Sequence, residues 1–317
     1  MMKAIQITEF GGPEKMALVD LDIPTPGGDE VLLDVLSIGI NYADTHQVEN
    51  SYLVPQNLPL IPGIEVVGRT PDGTRVVALV SSGGYAQKVT ANKAGMIKVP
   101  EGVSDEDALC MLIQGSTAWH ILKTMGHLKP GESVVVHAAA GGVGVMSIQL
   151  AKLWGAKVIA VASTPEKREL ALSLGADVAI DSNVADLKGA IIEANGGKKV
   201  DLVLEMVGGT TFDQSLAALA PFGRLVTFGM ASRVSPTPVV PVTLKTGTKT
   251  LSGFWLGHCF GSKELFHDVI DELFTLIKAG SLKTVVGSRY GLSQATEAHQ
   301  HMRSRGSTGK ITLDPSR

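Results

Sequence analysis

The sequence predicts an α/β protein in which a mostly antiparallel β domain precedes a mainly parallel sheet. Residues 3–100 form short β-rich runs that Gly, Pro and Asp interrupt, which is typical of an antiparallel domain. After residue 133, strand-like and helical segments alternate. Such alternation needs crossover connections and therefore parallel strands. A glycine-rich turn, AAGGVG at 139–144, joins the first of these strands to a helix.

Length and composition are those of a globular protein with two domains. The chain has 317 residues, about twice the length of a typical domain of roughly 150 residues. Hydrophobic residues make up 44% and charged residues 19%, which excludes a disordered chain and a charge-rich coiled coil. The net charge is −3 and no basic block occurs. We therefore expect a small-molecule partner, and neither a nucleic acid nor a membrane.

Cysteine usage and the N-terminus favour a cytoplasmic location. Cys110 and Cys259 each lie in an apolar stretch, which is typical of buried thiols in a reducing compartment rather than of a disulfide framework. The first eight residues, MMKAIQIT, lack the apolar core of a signal peptide and read as a strand. The longest uncharged run, 133–151, contains three glycines, a histidine and a glutamine, which argues against a membrane span.

The elements follow in order along the chain. We expect a helix at 262–279, because Ser262 is a good N-cap, apolar residues recur at helical spacing and Gly280 ends the pattern. Helical composition also marks 108–122 and 145–154. Strands are expected at 30–36, 65–69, 75–80, 86–90, 133–137, 157–162, 178–180, 200–205, 224–228, 250–254 and 310–313.

The turn at 139–144 predicts a dinucleotide-binding site, with alanine at the first glycine position of the usual fingerprint. A side chain at Gly141 or Gly142 would keep the backbone away from a pyrophosphate, whose charge is met by N–H groups at the start of a helix. Gly144 lets that helix pack close to the strand. The alternative is a turn that serves packing alone. The predicted cofactor-binding residues here are Ala140, Gly141, Gly142, Val143 and Gly144.

The end of the next strand favours NADP over NAD. An NAD enzyme usually carries an acidic residue about twenty positions after the glycines, whereas this chain has STPEKR at 163–168. Ser163 and Lys167 could hold a 2′-phosphate through hydroxyl and ammonium contacts. In the alternative interpretation, Lys167 and Arg168 form only the solvated face of a helix, and Glu166 beside them weakens a phosphate site.

Four ordered motifs carry a resemblance that covers nearly the whole chain: GINYAD at 39–44, IPGIE at 61–65, HAAAGGVG at 137–144 and GRLVTFG at 223–229. With them the chain resembles the zinc-independent quinone oxidoreductase (zeta-crystallin-like) branch of the medium-chain dehydrogenase/reductase superfamily. The resemblance implies a GroES-like catalytic domain, a Rossmann domain with a doubly wound sheet of strand order 3-2-1-4-5-6, and a homodimer joined through the Rossmann domains. We place the GroES-like domain at 1–114 and 267–317, and the Rossmann domain at 115–266.

The residues at the metal-ligand positions differ from those of the zinc alcohol dehydrogenases in the superfamily. Where those enzymes carry a cysteine and a histidine ligand, this chain has Asn41 and, before Glu65, Ile64. Two cysteines are also too few for a four-cysteine structural zinc lobe. We therefore expect no metal. Without a metal to polarise a carbonyl, hydride delivery to an electron-poor acceptor is the favoured chemistry.

The resemblance also implies which residues form the site. Tyr52 falls where related reductases carry a tyrosine, and a phenol can donate a proton to a carbonyl oxygen as negative charge develops there. The alternative is that Tyr52 is only an aromatic wall. The expected catalytic residues are Tyr52, Asn41 and Asp44. The expected cofactor contacts outside the glycine turn and residues 163–168 are Asn41, Tyr42, Asp44, Thr117, Gly208, Phe228, Gly229, Phe254, Trp255 and Lys310.

We expect an NADPH-dependent reductase that passes hydride to a quinone. The first alternative is a reductase of α,β-unsaturated carbonyls or enoyl thioesters, in which a proton donor matters more. The second is an NADPH-binding structural or regulatory protein with little turnover. No motif constrains the loops at 47–57 and 236–248, so the sequence leaves the natural acceptor open.

Overall fold

A computed structural model describes residues 1–51 and 53–317, which divide into two compact units. The first unit comprises Met1–Ile113 and Cys259–Arg317, and the second comprises Gln114–His258. The domain borders expected from the sequence lie one and eight residues from these. The first unit is thus built from both ends of the chain.

Strands make up most of the regular secondary structure in the N-terminal part of the first unit. Buried Leu33 and Val35 alternate with exposed Asp34, which is the pattern of a strand with one face on a core. The elements are β1 (Met2–Gln6), β2 (Ala17–Leu21), β3 (Glu30–Ile40), α1 (Tyr42–Glu49), β4 (Glu65–Arg69), β5 (Arg75–Leu79), β6 (Lys88–Asn92), β7 (Met96–Lys98) and α2 (Asp105–Leu109).

Strands and helices alternate in the second unit. They are α3 (Ser116–Leu122), β8 (Ser133–Val136), α4 (Gly142–Leu153), β9 (Lys157–Ala162), α5 (Pro165–Ser173), β10 (Val178–Asp181), α6 (Leu187–Ala194), β11 (Val200–Glu205), α7 (Gly209–Ala218), β12 (Leu219–Thr227), α8 (Pro241–Gly247) and β13 (Thr250–Gly253). The strands pair in parallel in the order β10-β9-β8-β11-β12-β13. By sequence this is 3-2-1-4-5-6, the doubly wound Rossmann order. The predicted fold class is confirmed.

The C-terminal part returns to the first unit with α9 (Asp268–Lys278), β14 (Val286–Gly291), α10 (Ala295–Arg303) and β15 (Lys310–Asp314). β15 pairs antiparallel with β3 in a sheet of order β14-β15-β3-β4-β5-β7, and β6 pairs with β3 as well. Ile38, Ile40, Ile311 and Leu313 from this pairing lie in one buried core. No helix among the described residues is long and apolar enough to cross a membrane.

The helix expected at 108–122 is interrupted. After α2, Cys110–Gly115 forms a π-helical turn, and α3 follows. The backbone N–H of Ile113 donates to Glu65 Oε1 (3.0 Å), so a side chain from β4 takes a donor of this turn. The helix expected at 262–279 similarly opens with a π-helical turn, Lys263–His267, before α9. Periodicity alone does not predict such turns.

Candidate cofactor and substrate site

The carboxyl ends of five parallel strands in the second unit lead directly into residues that the sequence assigns to the cofactor. In a parallel sheet these ends share one edge, which is where ligands of doubly wound proteins bind. β8 leads into the turn before α4, and β9 leads into Ser163. The remaining three strands, β11, β12 and β13, are followed by Gly208, by Phe228 with Gly229, and by Phe254 with Trp255. Thr117 lies instead on α3 and is buried.

The N-terminus of α4 is open to an anionic ligand. Its N-cap is Gly141, which is extended and supplies no side-chain acceptor to the first turn. The N–H of Gly141 itself donates to the carbonyl of Ala138 (2.8 Å). The first N–H groups of a helix have no partner within the helix, and its dipole makes that end partly positive. The residues therefore fit the pyrophosphate of a dinucleotide.

The glycines of this turn differ in what surrounds them. A Cβ on Gly144 would lie 2.5 Å from the carbonyl oxygen of Ala138 and 2.7 Å from that of Ala139, so only glycine lets α4 pack here. A Cβ on Gly141 would meet only the Ala138 oxygen, at 3.1 Å. A Cβ on Gly142 would overlap with the side-chain amide of Gln114. Gly144 is thus needed for packing, whereas Gly141 leaves the backbone accessible.

Two cationic side chains flank the end of β9. Burial lowers the pKa of Lys167, which lies on the first turn of α5. The Arg168 guanidinium turns back to the carbonyl of Ala162 (3.2 Å), the last residue of β9, and pairs with Asp181 Oδ2 (3.3 Å). Arg168 is therefore more than part of a solvated face. Sequence reasoning missed Asp181, because it reaches this place from the neighbouring strand β10.

Ser163 and the start of α5 are held by local hydrogen bonds. The hydroxyl of Thr164, the N-cap, accepts from the backbone N–H of Lys167 (3.3 Å). The carbonyl of Ser163 accepts from Asn183 Nδ2 (3.2 Å). This fixes the backbone beside the Ser163 hydroxyl, so a 2′-phosphate would meet an ordered loop.

Glu205 ends β11 and anchors the turn that follows. Its Oε1 accepts from the N–H groups of Val207 (2.7 Å) and Gly208 (2.9 Å), while Oε2 is buried without a hydrogen-bond partner. Burial raises the pKa of this carboxyl. Gly208 has φ +82°, and a Cβ there would lie 2.8 Å from the carbonyl oxygen of Val234. An acidic residue just before Gly208 and Gly209 was a signal that the sequence interpretation did not use.

Aromatic rings border the same edge of the second unit. The ring of His120, on α3, stacks on Phe254 with centroids 5.4 Å apart. Trp255 contacts His258 edge to face at 4.9 Å. Phe228 is half-buried, and Gly229 is exposed. These rings could present flat apolar surface to a planar ring such as a nicotinamide.

In the first unit, Asn41, Glu65 and Lys310 form one buried cluster. Asn41 Nδ2 donates to Glu65 Oε2 (3.0 Å), and Lys310 Nζ donates to Asn41 Oδ1 (3.1 Å). Lys310 also forms an ion pair with Glu65, and neither side chain is exposed. The amide at the position of the zinc ligand is therefore fixed by an internal ion pair. Among the described residues, no group of three or more His, Cys, Asp and Glu side chains is placed to hold a metal ion.

Asp44 lies at the centre of a second buried network in this unit. Its Oδ2 accepts from the N–H of Asn41 (2.9 Å) and from the Tyr85 hydroxyl (3.0 Å), which also contacts His299 Nε2 (2.8 Å). Burial raises the pKa of Asp44 to about 7 and lowers that of His299 to about 4. Tyr85 and His299 were not singled out from the sequence, because 214 residues separate them.

Two tyrosines were also predicted to belong to the site: Tyr42 as a cofactor contact and Tyr52 as the proton donor. Tyr42 is half-buried and contacts the ring of His46 edge to face, with centroids 5.5 Å apart. Tyr52, the predicted proton donor, lies outside the described residues.

Comparisons with known proteins agree with this fold. Residues 142–275 match the family model described as Zinc-binding dehydrogenase, a stretch that includes neither Asn41 nor Ile64. A quinone oxidoreductase of Pseudomonas aeruginosa is 33% identical over 99% of this chain and 100% of its own length. A 2-haloacrylate reductase of a Burkholderia species is 31% identical over 99% of each. A mycobacterial protein solved in complex with NADPH is 39% identical, with a TM-score of 0.93 over 99% of this chain and 100% of the other.

These relatives align along 99% of this chain, and the mycobacterial structure superimposes on it with a TM-score of 0.93. The family predicted from the motifs is confirmed. The chain belongs to the quinone oxidoreductase family of the medium-chain dehydrogenase/reductase superfamily.

Proposed function

We propose that this protein is an NADPH-dependent quinone oxidoreductase that works without zinc. The observation that carries the proposal is the open N-terminus of α4 behind the Gly141 turn, which lies next to a strand end flanked by Lys167 and Arg168. NADPH complexes and quinone reduction are named among its relatives. When bound, a reduced nicotinamide supplies hydride to an electron-poor acceptor.

The second unit supplies the cofactor contacts in this proposal. The N–H groups that follow Gly141 bind the pyrophosphate, and Ser163 and Lys167 bind the 2′-phosphate. Glu205 holds the Gly208 turn in position. The nicotinamide end is contacted by Thr117, Gly208, Phe228, Gly229, Phe254 and Trp255.

The first unit supplies the polar groups for the acceptor. Asn41 and Tyr42 orient the reacting partners. Asp44 and Lys310 are fully buried, so we propose that they serve as positioning residues instead of the direct contacts expected from the sequence. The Asp44 carboxylate accepts from the Asn41 N–H (2.9 Å), and Lys310 Nζ donates to the Asn41 amide oxygen (3.1 Å). Tyr52 donates the proton to the reduced acceptor.

The proposal is tested by the decay of NADPH absorbance with purified protein and two parallel acceptors, an ortho-quinone and a crotonyl thioester. We expect turnover with the quinone. A preference for the thioester would replace the proposal with reduction of an activated double bond. NADPH binding without turnover of either acceptor would indicate an NADPH-binding protein that is not a reductase of these acceptors.

Reduction of an activated alkene is the second candidate, because a full-length relative is a 2-haloacrylate reductase. Hydride addition to the β-carbon leaves an enolate that must be protonated. A Tyr52→Phe variant therefore separates the candidates, since a large loss of rate with the thioester and a small loss with the quinone favours the alkene reductase.

We further propose a cytoplasmic homodimer. Among the described residues, β13 has β12 as its only strand partner, so its outer edge can pair with the same strand of a second copy. Both free cysteines are buried, which fits a reducing compartment. Light scattering coupled to size exclusion tests the dimer, and a monomer at micromolar concentration would contradict it.

A further inference from the structure

Gln114 is the first residue of the second unit and lies against the glycine turn. The residue is only 7% exposed. Its side-chain amide occupies the space that a Cβ on Gly142 would take, at the first residue of α4. The carbonyl oxygen Oε1 is buried and has no hydrogen-bond partner. Gln114 also belongs to the π-helical turn Cys110–Gly115, and such turns are frequent at functional sites.

The chemistry of Oε1 limits what can pair with it. Buried polar groups are nearly always hydrogen-bonded, so an amide oxygen left alone at a ligand-binding edge points to a missing donor. Pyrophosphate oxygens at neutral pH only accept hydrogen bonds and cannot pair with it. The donors of a dinucleotide are its ribose hydroxyls and its amino and carboxamide N–H groups.

The position of α3 selects which half of the dinucleotide supplies the donor. The adenosine half is assigned to the end of β9, on one side of β8 in the sheet. α3, which begins two residues after Gln114, stacks His120 on Phe254. Phe254 follows β13, which lies on the other side of β8 from β9 in the sheet. Gln114 therefore reaches the glycine turn from the side of the nicotinamide half.

We infer that Gln114 is a further cofactor-contacting residue, whose Oε1 accepts a hydrogen bond from an O–H or N–H donor of the nicotinamide–ribose half while its amide packs on Gly142. The inference rests on the proposed NADPH site. It adds a contact that none of the sequence motifs marks.

The test compares Gln114→Met with the unaltered protein in binding, without turnover. Methionine nearly preserves the volume and removes both polar atoms. Dissociation constants are measured by calorimetry for NADPH and for 2′,5′-ADP, which carries only the adenosine half. We expect NADPH to bind about 3- to 10-fold more weakly, the effect of one lost hydrogen bond, and 2′,5′-ADP to bind unchanged.

Gln149→Met is the matched control. Gln149 is a buried glutamine on α4 whose Nε2 donates to the carbonyl of Val145 (2.9 Å). We expect this variant to leave both dissociation constants unchanged. Retained binding of 2′,5′-ADP also reports that the second unit of each variant is folded.

The inference is overturned if Gln114→Met leaves NADPH affinity unchanged, if it weakens both ligands equally, or if Gln149→Met has the same effect. Gln114→Asn withdraws the amide by one methylene and should reproduce the selective loss, so misfolding of the methionine variant does not end the test. If the unaltered protein binds neither ligand, the proposed NADPH site itself is wrong. That outcome is distinct from NADPH binding that is insensitive to Gln114.

Discussion

Lys310 on β15 and Glu65 on β4 form an ion pair in which neither side chain is exposed. The remaining polar atoms of the pair are used as well, because Asn41 contacts both residues and the N–H of Ile113 donates to Glu65. A charge removed from water is tolerated only when it is paired and hydrogen-bonded in this way. The pair therefore ties the C-terminal strand to the N-terminal part of the first unit.

The first prediction is that Lys310→Met lowers the free energy of unfolding by about 3–5 kcal/mol, because it leaves the Glu65 carboxylate buried and unpaired. Adding Glu65→Gln should recover part of this loss, since the amide is neutral and can still accept from Ile113. Denaturant unfolding monitored by circular dichroism measures both. The control is Lys88→Met, which breaks a partly exposed pair with Asp34 and should cost no more than about 1 kcal/mol. Equal losses for Lys310→Met and Lys88→Met would contradict this account.

The second prediction separates packing from binding in the glycine turn. Gly144→Ala places a Cβ against two backbone oxygens and should destabilise the second unit by about 1–3 kcal/mol or more. Gly141→Ala should change the melting temperature less and weaken NADPH binding. Gly253→Ala is the control, because a Cβ added there would meet no atom within 4 Å and its φ is ordinary. Thermal melts and NADPH titrations check all three, and a Gly144→Ala protein as stable as Gly253→Ala would refute the packing role.

The third prediction concerns the choice between NADPH and NADH. Lys167→Ala should weaken NADPH binding about tenfold and leave NADH nearly unchanged, because one charge-assisted hydrogen bond to the 2′-phosphate is lost. Lys152→Ala is the control, since Lys152 pairs with Asp177 at 2.9 Å. Equal affinities of the unaltered protein for the two cofactors would refute the 2′-phosphate assignment. If Arg168→Ala reduces the preference for NADPH over NADH and Lys167→Ala does not, Arg168 binds the 2′-phosphate.

The fourth prediction is a loss of stability in acid that originates at His137. This histidine is buried, its Nε2 contacts the Ser215 hydroxyl (2.8 Å), and burial lowers its pKa from 6.5 to about 4. Between those values the unfolded chain binds more protons than the folded one. The contribution of neutral His137 to the free energy of unfolding is therefore fully present above pH 6.5. It falls by up to roughly 3 kcal/mol as the pH drops toward 4.

Tryptophan fluorescence is a suitable probe for this prediction, because all three tryptophans, Trp119, Trp154 and Trp255, lie in the second unit with His137. The unfolding free energy of His137→Gln should vary less between pH 6.5 and 4 than that of the unaltered protein. His127→Asn replaces an exposed histidine of the same unit and should leave the pH dependence unchanged, because asparagine tolerates the positive φ (+45°) at this position. Identical pH profiles for His137→Gln and the unaltered protein would exclude His137 as the origin.

Local patterns predicted most of the fold. The strand before AAGGVG, the helix after it and the further alternation of strands could be predicted, because side-chain periodicity and glycine placement act over a few residues. The π-helical turn Cys110–Gly115 could not be predicted, since one of its N–H groups donates to the distant Glu65 carboxylate and no local pattern shows that contact. The family and fold class are confirmed, whereas the roles of the single site residues stay predictions.

A two-part α/β chain, a dinucleotide fingerprint before α4 and the presence of Asn41 and Ile64 at the zinc-ligand positions can all be read from local sequence. Each of these features depends on residues that are close together in the chain. The pairing of Lys310 with Glu65 across 245 positions, and the contact of the Gln114 amide with Gly142, could be found only from the folded structure. Such pairs depend on how strands and helices pack, and packing joins residues whose separation along the chain carries no pattern.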